Sequence, residues 1–362
     1  MIFRIYYSLL VSALILIIYS CASTKQASSD NKEFDLSFID KKNKPKKKTS
    51  YVDANDNLII ADRVLSSRIK EELGIPKDSL IPITSTYRIK ELNLGLDRSA
   101  LSSQKIKNID ALAYFIYLQK INLSFNNIND ITPIRNLDKL THLNFQSNII
   151  NDISPIANLK NLVDINFYNN NIKNIDCIAE LESLEKINFW DNKIINISAI
   201  QRLTKLQTVN LGNNYIIDLY PILDLKELEH LWLNNNLITN PEIISNCSKT
   251  LKTLSLGNCG ISNLDFLKNC ENLESLIIYN NNIKDISCLS KLINLNVLYI
   301  PNNDIDDISV LAVLINEGAF RRKGKFTGGF NIDISSNNIN YKSSKNKKIL
   351  NYLYENKVKV KL

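Results

Sequence analysis

One interval governs this sequence. Leu118 is followed at steps of twenty-two residues by Leu140, Leu162, Leu184, Leu206 and Leu228, and then, after one extra residue, by Leu251, Leu273 and Leu295. So short a repeat cannot bury an apolar face by itself, so its copies must stack into one continuous core. In the first copy, LQKINLSFNNINDITPIRNLDK at 118–139, apolar residues stand at Leu118, Ile121, Leu123, Ile128, Ile131, Ile134 and Leu137. The alternation around Ile121 and Leu123 predicts a short strand with one buried face. Asn126 follows where the chain turns away and backbone groups lose their strand partners. An amide there both donates and accepts, so stacked copies are expected to form a ladder of Asn126, Asn148, Asn170, Asn192, Asn214, Asn236, Cys259, Asn281, Asn303 and Asn337. Cys259 departs from the pattern, but a thiol is a weak donor of similar bulk.

The spacing L-x-x-L-x-L-x-x-N-x-I resembles the leucine-rich repeat signature. The segments D-I-T-P-I at 130–134 and D-I-S-P-I at 152–156 resemble the twenty-two-residue class found in internalins. The resemblance runs from about residue 58 onward. It implies an α/β solenoid: a leucine-rich repeat horseshoe with a parallel concave sheet and a mostly 3-10 or irregular convex side. It also implies a protein ligand held on the concave face.

The ends of the chain read differently. Residues 1–20 carry Arg4 and an apolar run from Ile5 to Ile18, too short for a comfortable membrane span, and read as a secretory signal. The run ends I-Y-S-C at 18–21, which resembles a bacterial lipoprotein signal with Cys21 as the lipid-carrying residue, although Tyr19 fits that pattern poorly. The expectation is an exported protein of the bacterial envelope, anchored to a membrane by lipid. Residues 21–50 are polar and lysine-rich and read as a disordered tether. Residues 51–117 read as an N-terminal cap and degenerate first repeat: a helix over 58–73 bearing Ile60, Val64, Leu65, Ile69 and Leu73, then a strand over 88–94 with Asp97 near the ladder position. Repeats fill 118–340, with an insertion at 316–328 read as a polar loop or small hairpin. A helix near 345–355 and a strand at 358–362 make the C-terminal cap of 341–362.

Charge and composition narrow the function. Lysines cluster at 41–48 and 342–361 and basic residues at 321–325, so under a formal net charge of +7 the repeat body is acidic. A basic groove for nucleic acid is therefore missing from the repeats. The two histidines, His142 and His230, lie four repeats apart and cannot make a triad or zinc site. No motif for catalysis, metal or cofactor is present, and the chain reads as no enzyme. Asp130, Asp152, Asp218 and Asp285 read as caps of tight turns. Cys247 and Cys270 fall at matching core positions of adjacent repeats, where either a disulfide or two buried thiols fit.

Residues between the buried leucines are expected to line the concave face. Both tryptophans and both histidines of the chain fall there. The candidate ligand surface has two parts: Tyr168 with Trp190, and His230, Trp232, Ile277, Tyr279 and Tyr299 with Val297, with Gly212 and Gly257 expected to leave recesses beside them. Exposed aromatics of this kind mark binding hot spots; the competing account is rings packed flat to stiffen the sheet. The partner expected is a protein, the alternative being a structural or glycan-binding envelope role. Replacing Cys21 by Ser should abolish incorporation of a palmitate analogue and release the chain from membranes, whereas unchanged labelling would refute lipidation.

Overall fold

The computed structural model describes residues 51–321 and 330–362. The readings for the signal, Cys21 and the tether, and for residues 322–329 of the insertion, lie outside the described residues. Twelve parallel strands form one sheet in chain order, from Glu91–Asn93 to Val360–Lys361. Most are three residues long, with the middle residue buried and its neighbours facing out, as in Lys120–Asn122 and His230–Trp232. Short 3-10 turns such as Thr132–Ile134 and Ser198–Ile200 return the chain on the other side. The architecture is a leucine-rich repeat horseshoe.

The turn after each strand is locked from within. Asn192 is 6% exposed. Its Nδ2 donates to the carbonyls of Phe189 (3.0 Å) and Trp190 (3.3 Å) in its own repeat and of Phe167 (2.9 Å) in the preceding one, while its Oδ1 accepts from Ile172 N (3.0 Å). The same pattern recurs from Asn126 to Asn337. At Cys259 the thiol meets the Leu233 and Gly257 carbonyls at 3.3 and 3.5 Å. The N–H of Ile238, which an asparagine amide would accept, goes instead to the Cys259 backbone carbonyl.

The residue before each ladder position is left-handed, with φ of 52–59° from Phe125 to Asn302. Short polar side chains tolerate that conformation best, which accounts for the doubled asparagines at 169–170, 213–214, 235–236, 280–281 and 302–303. Several of these outer residues join across repeats, for example Asn302 Nδ2 to Asn280 Oδ1 at 2.7 Å. Behind the strands Phe145, Phe167 and Phe189 stack at 5.7 Å centroid spacing, nearly parallel.

Both caps differ in detail from the sequence reading. Helix α1 runs Arg63–Leu73, not from 58, because Asn57–Leu58 pairs antiparallel with Ile81–Pro82 and Asp62 caps the helix. One Asp62 oxygen accepts from Val64 and Leu65 N and the other from Lys107 and Asn108 N, tying α1 to the first repeat. Burial pushes the Asp62 carboxyl up, but these four donors outweigh it and hold it below the usual value. The first strand is Glu91–Asn93, and Asp97 is exposed, accepting from Ser99 instead of joining the ladder. A carboxylate cannot donate. Arg68 of α1 supplies the missing donors, its guanidinium reaching the Leu94 carbonyl at 2.7 Å and the Gly95 carbonyl at 3.0 Å.

At the other end helix α2 (Ser309–Asn316), leading into the insertion, stands where other repeats carry a 3-10 turn. Helix α3 (Ser344–Glu355) buries Asn346, Ile349 and Leu353, and the last strand follows at Val360–Lys361. Lys345, at the start of this helix, pairs with Asp307 at 2.9 Å. Ser309 and Lys345 hold the Asp307 carboxyl down at about 2. Cys247 and Cys270 are free thiols. Cys247 donates instead to the Leu225 carbonyl at 3.4 Å, and burial raises the two thiols to about 11 and about 12.

Removing a mid-array rung by Asn192→Ala strands buried carbonyls and should destabilise by about 1–3 kcal/mol. Replacing the exposed, unpaired Lys347 should cost almost nothing in the same chemical melt, so equal midpoints would refute the ladder as a source of stability.

Candidate functional site

Two outward positions in each strand and one just beyond it make three columns along the concave face. Register fixes the middle column as Asn122, Asn144, Asn166, Asn188, Asn210, Trp232, Ser255, Ile277, Tyr299, Asp333 and Lys361. The asparagines have a local duty. Each accepts, through Oδ1, the N–H two residues on, from Ser124 (3.0 Å) to Gly212 (3.4 Å), and so caps the end of its strand. Asp333 does the same for Ser335 N at 3.1 Å. Trp232 and Ile277 have no oxygen to do so, and at Tyr299 the residue two on is Pro301, which has no N–H to cap. Between Asn210 and Asp333 the sheet therefore gives up a turn-capping side chain and presents large apolar groups in its place.

All seven candidate residues, Tyr168, Trp190, His230, Trp232, Ile277, Tyr279 and Tyr299, are half-buried on this face. His230 and Trp232 stack at 5.7 Å, and Tyr279 meets Tyr299 edge to face at 5.8 Å. His230 Nδ1 lies 3.0 Å from Thr253 Oγ1. Burial lowers its pKa, against the pull of Glu229 and Glu274.

Gly212 and Gly257 are not recesses. A Cβ on Gly212 would lie 2.6 Å from the Trp190 ring, and one on Gly257 would lie 2.2 Å from the ring of Tyr279. Each aromatic ring fills the space over a glycine of the adjacent repeat. Trp190 leans toward the C-terminal end of the array and Tyr279 toward the N-terminal end. The Tyr279 hydroxyl comes within 3.4 Å of Asn234 Nδ2, whose Oδ1 accepts from Ser255 Oγ at 3.0 Å. Tyr279 thus rests against Asn234, a buried residue that column periodicity alone did not single out.

The N-terminal half of the face is polar. A shallow cleft of about 470 Å³ is lined by Glu91, Lys120, His142, Asp164 and neighbouring asparagines. Glu91 and Lys120 pair at 2.8 Å. Burial raises the Asp164 carboxyl against the pull of His142 and Lys186. The aspartates on the outer side cap turns, Asp130 Oδ1 accepting Thr132 N and Asp285 Oδ1 accepting Ser287 N. Among the described residues no cluster of His, Cys, Asp or Glu could hold a metal ion, and no helix is long and apolar enough to cross a membrane.

Comparison with known proteins agrees with this architecture. The family model for leucine-rich repeats in two copies matches residues 182–226 and 271–313. An internalin, InlF, from Listeria monocytogenes is 26% identical, and the likeness covers 84% of this chain and 90% of that one at a TM-score of 0.67. A TDR receptor is 23% identical at a TM-score of 0.60, covering 71% of this chain and 45% of that one. The plant peptide hormone receptor RGFR1, in complex with RGF2, is 21% identical at 0.54, covering 69% and 42%. The two receptors share the fold, and the chain spans less than half of either. No curated protein sequence matches the chain. The repeats are leucine-rich repeats, and the chain is internalin-like in structure.

Fold and surface separate cleanly at this site. Trp232→Ala with Tyr299→Ala should leave unfolding within about 0.5 kcal/mol of the wild type. Leu233→Ala, one residue along and fully buried, should destabilise by about 2–5 kcal/mol. A double aromatic variant that melts as early as Leu233→Ala would make Trp232 part of the core.

Proposed function

We propose that this chain is an exported, lipid-anchored binding protein that holds a protein ligand on the aromatic part of its concave face. Leucine-rich repeat proteins commonly mediate protein–protein interaction, and the internalin likeness supports that role here. One observation carries the reading furthest: repeats with an asparagine at the middle position cap their own turns, and the array departs from that rule at Trp232, Ser255, Ile277 and Tyr299. Trp232 and Ile277 forgo that local hydrogen bond, and large apolar groups half-exposed to water at these positions and at Tyr299 are explained by something that covers them. Trp190 and Tyr279, seated over Gly212 and Gly257, have little freedom left to lose on binding, which favours affinity. Cys21, by resemblance to lipoprotein signals, would hold the array at a bacterial membrane.

Crosslinking on intact cells, followed by capture with the full chain, tests the reading. A protein captured by the wild type should bind Trp232→Ala/Tyr299→Ala about thirtyfold more weakly, the cost of losing hot-spot aromatics. Undiminished capture by the variant, or a glycan array that binds where no protein does, would overturn the reading.

A further inference from the structure

The concave columns that carry the aromatic patch continue past Tyr299. Register takes the middle column through Asp333 to Lys361, and the strand alternation places Lys359 in line with Asn331 and Val297. Lys361 pairs with the largely buried Asp333 at 3.0 Å while half its own side chain stays exposed. Lys359 is exposed, with no ion pair among the described residues. Beyond it Lys357, in the left-handed turn out of α3, and Lys347 and Lys348 on α3 are exposed and likewise have no ion pair among the described residues. Residues 342–361 hold seven lysines against Glu355, whereas residues 51–320 carry a net negative charge. Positive charge in this solenoid is therefore gathered at the end where the aromatic patch stops.

We propose that the ligand segment seated on Ile277, Tyr279, Val297 and Tyr299 is acidic: a stretch of protein with an apolar side chain for the patch and carboxylates beside it for Lys359 and Lys357. This rests on the concave-face reading above and adds the ligand's chemistry and its direction along the groove. An ammonium at the rim of a patch that loses water on binding gains more from a carboxylate than one in open solvent. A bare polyanion fits less well. It would need basic residues along the whole groove, and Glu229 and Glu274 immediately precede the strands His230–Trp232 and Ser275–Ile277.

The test is selection of a displayed library of random linear peptides on the full chain. Parallel selections use Lys357→Glu/Lys359→Glu, the milder Lys357→Gln/Lys359→Gln, and Trp232→Ala/Tyr299→Ala. Peptides taken by the wild type should combine aromatic or aliphatic residues with an excess of Asp and Glu over the input library. They should bind the charge-reversed variant at least about tenfold more weakly and weaken as salt rises. No acidic excess, equal binding to both lysine variants, or no enrichment at all overturns the proposal. Apolar peptides without acidic excess that still depend on Trp232 and Tyr299 overturn it while leaving the concave-face reading intact. Acidic peptides indifferent to the aromatic variant, and displaced equally well by a short single-stranded oligonucleotide, make the end a general polyanion surface and sink both.

Discussion

Each turn of the solenoid ends in an amide withdrawn from water, and such an amide must find its partners in protein. The ladder asparagines find them in two repeats at once, donating backward to the preceding repeat and within their own. A repeat is therefore complete only when its neighbour is present. That dependence sets the fixed interval, the direction of stacking and the need for special groups at the ends. The strands are too short to specify a sheet alone; the rungs hold them in register, and the stacked Phe145, Phe167 and Phe189 fill the space behind.

The same economy makes the concave face readable. A middle-column asparagine needs no ligand to explain it, because it accepts an N–H of its own turn. Where the column changes to Trp232, Ile277 and Tyr299, local structure no longer explains the residue. The glycines at 212 and 257 make room for the rings of Trp190 and Tyr279, and the Tyr279 hydroxyl reaches Asn234. Trp190 and Tyr279 are thereby part of the sheet's own packing, whereas Trp232 has no such glycine seat.

Much of this was legible in the sequence because period and burial coincide: every leucine or isoleucine of the repeat from Leu118 to Leu295 that the spacing placed inside is buried. What escaped was non-periodic. Arg68 acts on carbonyls more than twenty residues away, and nothing in its spacing announces that. The start of α1 moved to Arg63 because a two-residue strand pairing claimed the residues before it. Gly212 and Gly257 read as gaps in the sequence, which shows a missing side chain but not the neighbour's ring that occupies the space. Lys359 and Lys361 were hidden by the insertion, which broke the count that would have placed them on the concave columns.

Arg68 also gives the array a beginning in a stricter sense. Asn126 still reaches back to the Leu94 carbonyl, but the first repeat has no rung of its own, because Asp97 cannot donate, and the share that a rung gives its own turn is missing. Carbonyls left short of a donor at the open end of a stack invite a donor from another molecule. A guanidinium, all donor and no acceptor, satisfies those carbonyls and presents nothing that a further repeat could grip. Arg68 is the chain terminator of this solenoid.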